Sequence, residues 1–283
     1  MPTFQHFSTT INFRQDGSGA PVVALHSSAS SSNQWDSLTG YLSGRFRVIR
    51  PDLPGYGRSD AMSAGARLCD IVDVLSCLFR NLNEPVHLIG HSFGGAVALK
   101  AAQMLPDKVL NLTLIEPASF HLLRNDPAAR TDLAGIEAVA QHMAKRMAAG
   151  DADGAMGRFI DFWNGEGAWD RTSAGLRQKL AILSSQVMSD FQAIFAEDTG
   201  LADLASVTCP VLVMAGEHSP NLTSHLAMRI AETLPFARFT EIIDAGHMAP
   251  LTDPHEVDPM IAAHLLSIDR RANRCTTLAS AAA

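Results

Sequence analysis

Between Val86 and Ala102 the chain changes its periodicity across a single turn. Val86-His87-Leu88-Ile89 is the short apolar run of a buried strand, while Ala96, Val97, Leu99, Ala101 and Ala102 continue as a compact helix. The join is Gly90-His91-Ser92-Phe93-Gly94. A strand that passes straight into a helix belongs to a layered α/β arrangement, because the helix has to pack back onto the sheet. Glycines two residues either side of a serine permit a turn too tight for side chains and lift the hydroxyl clear of the sheet. The helix N-terminus then aims the Phe93 N–H at any negative charge developing beside that hydroxyl. Ser92 is therefore the candidate nucleophile and Phe93 a candidate oxyanion donor. The bland reading, a glycine-rich turn with an incidental serine, is weakened by the strand and helix that flank it.

The remaining chain repeats the same alternation. Pro21–His26, Phe46–Arg50, Val86–Gly90, Val109–Ile115, Val211–Ala215 and Phe239–Ile243 are strand candidates, and the first twenty residues add one or two antiparallel edge strands. Leu68, Ile71, Val72, Leu75, Leu78, Phe79 and Leu82 fall on one helical face, as a crossover helix requires. From 119 to 205 the strand signal stops. Ile136, Val139, Ala140, Met143, Ala144 and Met147 form one apolar stripe, and Leu176, Leu180, Leu183, Val187, Phe191 and Ile194 another. Consecutive helices between strands predict an inserted helical lid. The expected organisation is an α/β core over 1–118 and 206–269, a lid over 119–205, and a flexible tail over 270–283.

Composition narrows the partners. Lys and Arg number 22 against 29 Asp and Glu, a net charge of −7 with no basic run, which disfavours nucleic acid. No apolar run reaches the ~18–20 residues of a membrane span, and the N-terminus lacks a signal-peptide pattern. Cys69, Cys77, Cys209 and Cys275 are scattered, which reads as free thiols in a reducing cytoplasm. There is no HExxH, no clustered His/Cys set and no GxGxxG after the first strand, so neither a metal nor a dinucleotide cofactor is expected.

Among the 11 histidines, His247 stands apart. It follows the last strand candidate in Asp244-Ala245-Gly246-His247-Met248, C-terminal to Ser92, where a general base can reach the serine.

Taken in order, these motifs resemble the α/β-hydrolase superfamily over His26 to about Leu266. Leu25-His26-Ser27-Ser28 looks like its His-Gly-x oxyanion loop, with Ser27 in the usual glycine position, and the resemblance makes the Ser28 amide the second oxyanion donor. Asp52-Leu53-Pro54-Gly55-Tyr56-Gly57-Arg58-Ser59 is similar to its D-x-P-G-x-G-x-S turn. The family's acid follows the strand after the lid in a G-x-x-D pattern, but Gly216-Glu217-His218-Ser219 places serine there. A serine cannot orient the histidine by charge. Glu116, at the end of Leu114-Ile115-Glu116-Pro117, is the expected replacement, with Glu217 the next candidate.

The expected activity is hydrolysis of a small, largely apolar ester or related acyl compound through an acyl-enzyme. Carbon–carbon bond hydrolysis and cofactor-free perhydrolysis use the same three groups and stay open, as does a catalytically weak receptor. Ser27, Met143, Trp163, Trp169 and Met248 are the candidate pocket residues, although a Met or Trp at helical spacing is as readily core. The oligomeric state is open, a homodimer included.

Overall fold

The computed structural model describes the backbone of residues 1–281 and the side chains of 1–268. Among the described residues the chain runs β1 (Thr3–His6), β2 (Thr9–Asp16), β3 (Ala20–Leu25), α1 (Asp36–Leu42), β4 (Phe46–Pro51), α2 (Leu68–Asn81), β5 (Val86–His91), α3 (Phe93–Met104) and β6 (Val109–Ile115). Then come α4 (Arg130–Ala148), α5 (Ala152–Asn164), α6 (Ala168–Arg171), α7 (Ala174–Ile182) and α8 (Ser184–Phe195). The chain closes with β7 (Val211–Gly216), α9 (Asn221–Thr233), β8 (Ala237–Ile242), α10 (Ala249–Thr252) and α11 (Pro254–Ala281). No described helix is long and apolar enough to cross a membrane.

The strands form one 8-stranded sheet in the order β1-β2-β4-β3-β5-β6-β7-β8. The β1–β2 and β2–β4 pairs are antiparallel and every other pair is parallel. This is the mostly parallel sheet expected from the alternation, and the α/β-hydrolase fold that the resemblance implied.

The inner strands β3, β5, β6 and β7 read as largely apolar runs because both faces are buried. Successive side chains go to opposite cores. Val23, Leu25, Leu88, Leu112, Leu114 and Val213 join α2, α3 and α9 on one face, while Val22, Ala24, Ile89, Ile115, Leu212 and Met214 meet α1 and α11 on the other. Each such side chain removed from water contributes on the order of 1.5–3 kcal/mol.

The inserted segment differs in detail from the stripe expected over Leu176–Ile194. The helix breaks at Leu183, giving α7 and α8. Helix α8 buries Val187, Phe191 and Ile194, whereas α7 buries nothing fully and leaves Leu176 exposed. One periodicity thus spans two helices with different surroundings. Helix α5 carries Gly154 and Gly157, which dilute its apolar signal. Cys69, Cys77 and Cys209 are free, as expected, and Cys275 lies outside the described side chains. Helix α11 carries the backbone of the expected tail to Ala281, and residues 282–283 lie outside the described residues.

Candidate active site

In a parallel sheet the carboxyl ends of the strands share one edge, and ligands bind there. Ser27 and Ser28 follow β3, Ser92 follows β5, Glu116 follows β6, Ser219 follows β7 and His247 follows β8.

Ser92 sits at φ 53, ψ −118, a conformation disfavoured for any residue with a Cβ. It is fixed by its own amide, which donates to the Ile115 carbonyl at 2.9 Å, and by its carbonyl, which accepts from Ala96 and Ala118. The glycines make the turn sterically feasible. A Cβ on Gly90 would lie 2.3 Å from the Gly94 carbonyl oxygen and 2.7 Å from the Gly95 Cα. Both obstacles are backbone of the same elbow and cannot swing away. Gly90→Ala is therefore expected to lose at least 2–3 kcal/mol of stability, the upper range of overpacking, or to fail to fold. A urea midpoint within experimental error of the parent would contradict this.

His247 is buried and bridges two partners: Nε2 lies 3.1 Å from Ser92 Oγ, and Nδ1 lies 2.5 Å from Glu116 Oε2. The geometry places Glu116, not Glu217, against the imidazole. Glu217 is exposed and accepts the Asp244 amide at 3.0 Å. Glu217, His218 and Asp244 come within 4.8 Å of one another, a spacing that would suit a metal, but all three are exposed and none lines the pocket at Ser92.

Glu116 is held from both sides. Its Oε1 accepts from the Gly216 amide at 2.7 Å and from the Ser219 hydroxyl at 2.5 Å. Burial alone would raise its pKa, but the facing His247 and the hydrogen bonds from His247, Ser219 and Gly216 outweigh that and hold the carboxyl below its ordinary value. Ser219, at the position where the resemblance places the acid, thus donates to Glu116. The turn carrying His247 does not depend on its glycine. Gly246 has open space where its Cβ would be, and the left-handed residue is Asp244 at φ 55.

Behind His247 lies a buried network of uncharged groups. Burial and the adjacent His247 push the His91 pKa down to about 3. Its Nε2 lies 2.8 Å from the His247 carbonyl oxygen and its Nδ1 3.1 Å from Gln34 Nε2. With Nε2–H donating and Nδ1 accepting, one neutral tautomer satisfies both contacts. Gln34 Oε1 in turn accepts from the Ser27 amide at 3.0 Å and the Ser27 hydroxyl at 2.8 Å. The Ser27 N–H is thereby occupied, whereas the amides of Ser28 and Phe93 have no acceptor within the described protein.

The pocket above Ser92 has a volume of about 370 Å³. Ser27, Ser28, Phe159, Ile160, Trp163, Leu176, Leu180, His247, Met248 and Leu251 line it, among others, and no lysine or arginine among the described residues does. The Trp163 indole stacks on the His247 imidazole with 3.9 Å between centroids and 20° between planes. Ser27, Trp163 and Met248 therefore stand where expected. Two candidates do not. Met143 is fully buried on α4 inside the insertion, and Trp169 packs on Gly157 and donates its indole N–H to Asp153 at 3.2 Å. Helical spacing marked both as buried but carried no information on what they face.

Sequence reasoning missed Asp190 and Gln34, and named Tyr56 and Ser219 only as motif positions without their contacts. Asp190 left a legible signal, being the one acid among Val187, Phe191 and Ile194 on a buried face. The others follow only from long-range contacts.

Residues 22–259 match the alpha/beta hydrolase family. The chain is 28% identical over 261 residues to (E)-2-((N-methylformamido)methylene)succinate hydrolase of Acinetobacter baylyi, covering 90% of this chain and 94% of that one. It is 26% identical over 251 residues to a pimeloyl-[acyl-carrier protein] methyl ester esterase of Nitrosomonas europaea, covering 87% and 96%. Among solved structures, the enol-lactonase of Burkholderia xenovorans superposes with a TM-score of 0.74 at 21% identity, covering 94% of this chain and 100% of that one. With the family matched along most of its length, the chain is a hydrolase that belongs to the alpha/beta hydrolase family.

Proposed function

We propose that the protein is a serine hydrolase acting on a small, uncharged, largely apolar ester through an acyl-enzyme, with Ser92 as nucleophile, His247 as base and Glu116 as the orienting acid. The observation that carries this is the continuous chain Ser92 Oγ–His247–Glu116 opening into an apolar pocket beside two unoccupied amides. His247 Nε2 takes the Ser92 proton as Oγ attacks the ester carbonyl. The amides of Ser28 and Phe93 stabilise the tetrahedral oxyanion, each donor of this kind contributing about 2.7–4 kcal/mol. His247 returns the proton to the leaving alcohol. A water then attacks the acyl-enzyme, again through His247.

The pocket argues for a substrate unlike that of the Acinetobacter relative. A succinate derivative carries carboxylates, and no lysine or arginine among the described residues lines this cavity to receive them. Seating an unpaired charge among Phe159, Trp163, Leu176 and Leu180 costs several kcal/mol, at about 1.4 kcal/mol per factor of ten. We therefore expect a kcat/KM for p-nitrophenyl butyrate about 100-fold above that for the p-nitrophenyl monoester of succinate, together with labelling of Ser92 by a fluorophosphonate probe. Equal turnover of the two esters would refute the neutral-substrate reading, and absence of labelling would refute the serine-hydrolase reading.

A further inference from the structure

Beyond the pocket, a second chamber of only about 10 Å³ adjoins Ser92 and Ser28, with room for about one water. Its walls are apolar apart from these two serines and Asp190 of α8. The Asp190 side chain is buried, yet no Lys, Arg or His among the described residues forms an ion pair with it. Its partners are uncharged. Oδ2 lies 2.5 Å from Ser28 Oγ and 2.5 Å from the Tyr56 hydroxyl, and Oδ1 lies 3.1 Å from Gln186 Nε2. One carboxyl thus ties the inserted helix α8 to the loop after β3 and to the turn after β4.

We propose that Asp190 is a neutral latch: its protonated carboxyl joins α8 to the oxyanion loop through Ser28, and its ionisation impairs the oxyanion site. This rests on the serine-hydrolase reading. A carboxylate in a largely apolar chamber beside the Ser28 amide repels the negative charge that develops on the substrate oxygen, and low dielectric magnifies the effect. The acid form removes that charge. Its Oδ2–H donates to Ser28 Oγ while Oδ2 accepts from Tyr56, which releases the Ser28 hydroxyl hydrogen to turn toward the chamber shared with Ser92.

The groups facing Asp190 leave the proton in place below neutrality. Burial pushes its pKa up to about 7, against the hydrogen bonds from Ser28, Tyr56 and Gln186. Tyr56 is held as the neutral phenol by its own burial and by Asp190. His26, edge-on to Tyr56 at 5.4 Å, is pushed by burial to about 4 and adds no positive charge. Asp190 is accordingly a positioning residue acting through Ser28.

The test is the pH dependence of fluorophosphonate labelling and of p-nitrophenyl butyrate turnover from pH 6 to 10 in wild type, Asp190→Asn and Tyr56→Phe. Wild type should lose at least tenfold in rate between about pH 7 and 9, because the latch ionises over that range. Asp190→Asn, neutral at every pH, should lack this loss. Tyr56→Phe removes a donor that favours the anion, so its loss should move to higher pH. The same alkaline limb in wild type and Asp190→Asn overturns the latch and leaves the serine-hydrolase reading standing. If Asp190→Asn does not fold, an unmoved limb in Tyr56→Phe overturns it equally. Absence of Ser92 labelling at every pH removes both. Stability gives an activity-free check. Between about pH 4 and 7 the folded chain holds a proton on Asp190 that the unfolded chain has lost, so wild type should lose stability as pH rises across that window and Asp190→Asn should not.

Discussion

Ser92→Ala should lower kcat on a p-nitrophenyl ester by about 10⁶, and a further His247→Ala should lower it little more. The reason is that the two side chains perform one act. His247 Nε2, 3.1 Å from Ser92 Oγ, has nothing to activate once the hydroxyl is gone, and Ser92 without its base is an ordinary alcohol. What persists is the pocket and the amides of Ser28 and Phe93, which still bind the ester and stabilise an oxyanion formed by direct attack of water, about 10³-fold over solution. Stopped-flow release of p-nitrophenol in the single and double variants checks this. Additive losses, or a Ser92→Ala variant within tenfold of wild type, would show that the acyl group never passes through Ser92.

The same residue allows a stability measurement that separates strain from chemistry. At φ 53, ψ −118 the Ser92 Cβ is in steric conflict that glycine escapes. Such strain is worth on the order of 1–3 kcal/mol, and the added freedom of glycine in the unfolded chain returns part of it. Ser92→Gly should then be inactive yet more stable than Ser92→Ala by about 1 kcal/mol. A less stable glycine variant would mean that the elbow is relaxed.

Features set by local periodicity were readable from the residues, and features set by long-range contact were not. Strands buried on both faces gave continuous apolar runs, so Val86–Gly90 and Val211–Ala215 fell close to β5 and β7. The elbow is a local motif and Ser92 came with it. Glu116 was an expectation from the family resemblance and its place at a strand end, because serine occupies the usual acid position; the sequence held no sign that Ser219 and Gly216 both reach across to grip it. In the insertion a stripe reveals that a side chain is buried but not against what. Met143 turned inward to its own helices and Trp169 onto Gly157, while Leu176 and Leu180, placed only on an apolar stripe of the insertion, face the pocket. The polar pieces that brace the site, Gln34 to His91 and Ser28 to Asp190, join residues 57 and 162 positions apart and leave no local trace.

Glu116→Gln should reduce kcat by about 10³–10⁴ with the fold intact, and the hydrogen bonds around the carboxyl dictate why. The Gly216 amide and the Ser219 hydroxyl both donate to Oε1. In the glutamine variant only the carbonyl oxygen can accept those bonds, so the amide nitrogen is forced to the Oε2 position, facing His247 Nδ1. Its N–H then donates to Nδ1, which puts the imidazole hydrogen on Nε2, where it points at Ser92 Oγ. A base that already carries a proton at the accepting nitrogen cannot take another, and an imidazolium formed there has lost its stabilising charge. Losing the buried carboxylate also removes the desolvation that opposed it, so the folded state tolerates the change. Glu217→Gln, on an exposed residue that holds only the Asp244 amide, should turn over within twofold of wild type. Ser219→Ala removes one of the two clamps and leaves the Gly216 amide to fix the carboxyl. It should cost only about tenfold, the size of one hydrogen bond to a charged group. Steady-state kinetics on the three variants, with near-ultraviolet circular dichroism to verify folding, give the ranking Glu116→Gln far below Ser219→Ala, and Ser219→Ala below Glu217→Gln. Near wild-type turnover in Glu116→Gln with loss in Glu217→Gln would reverse the assignment of the acid and leave the Glu116–His247 contact a structural one.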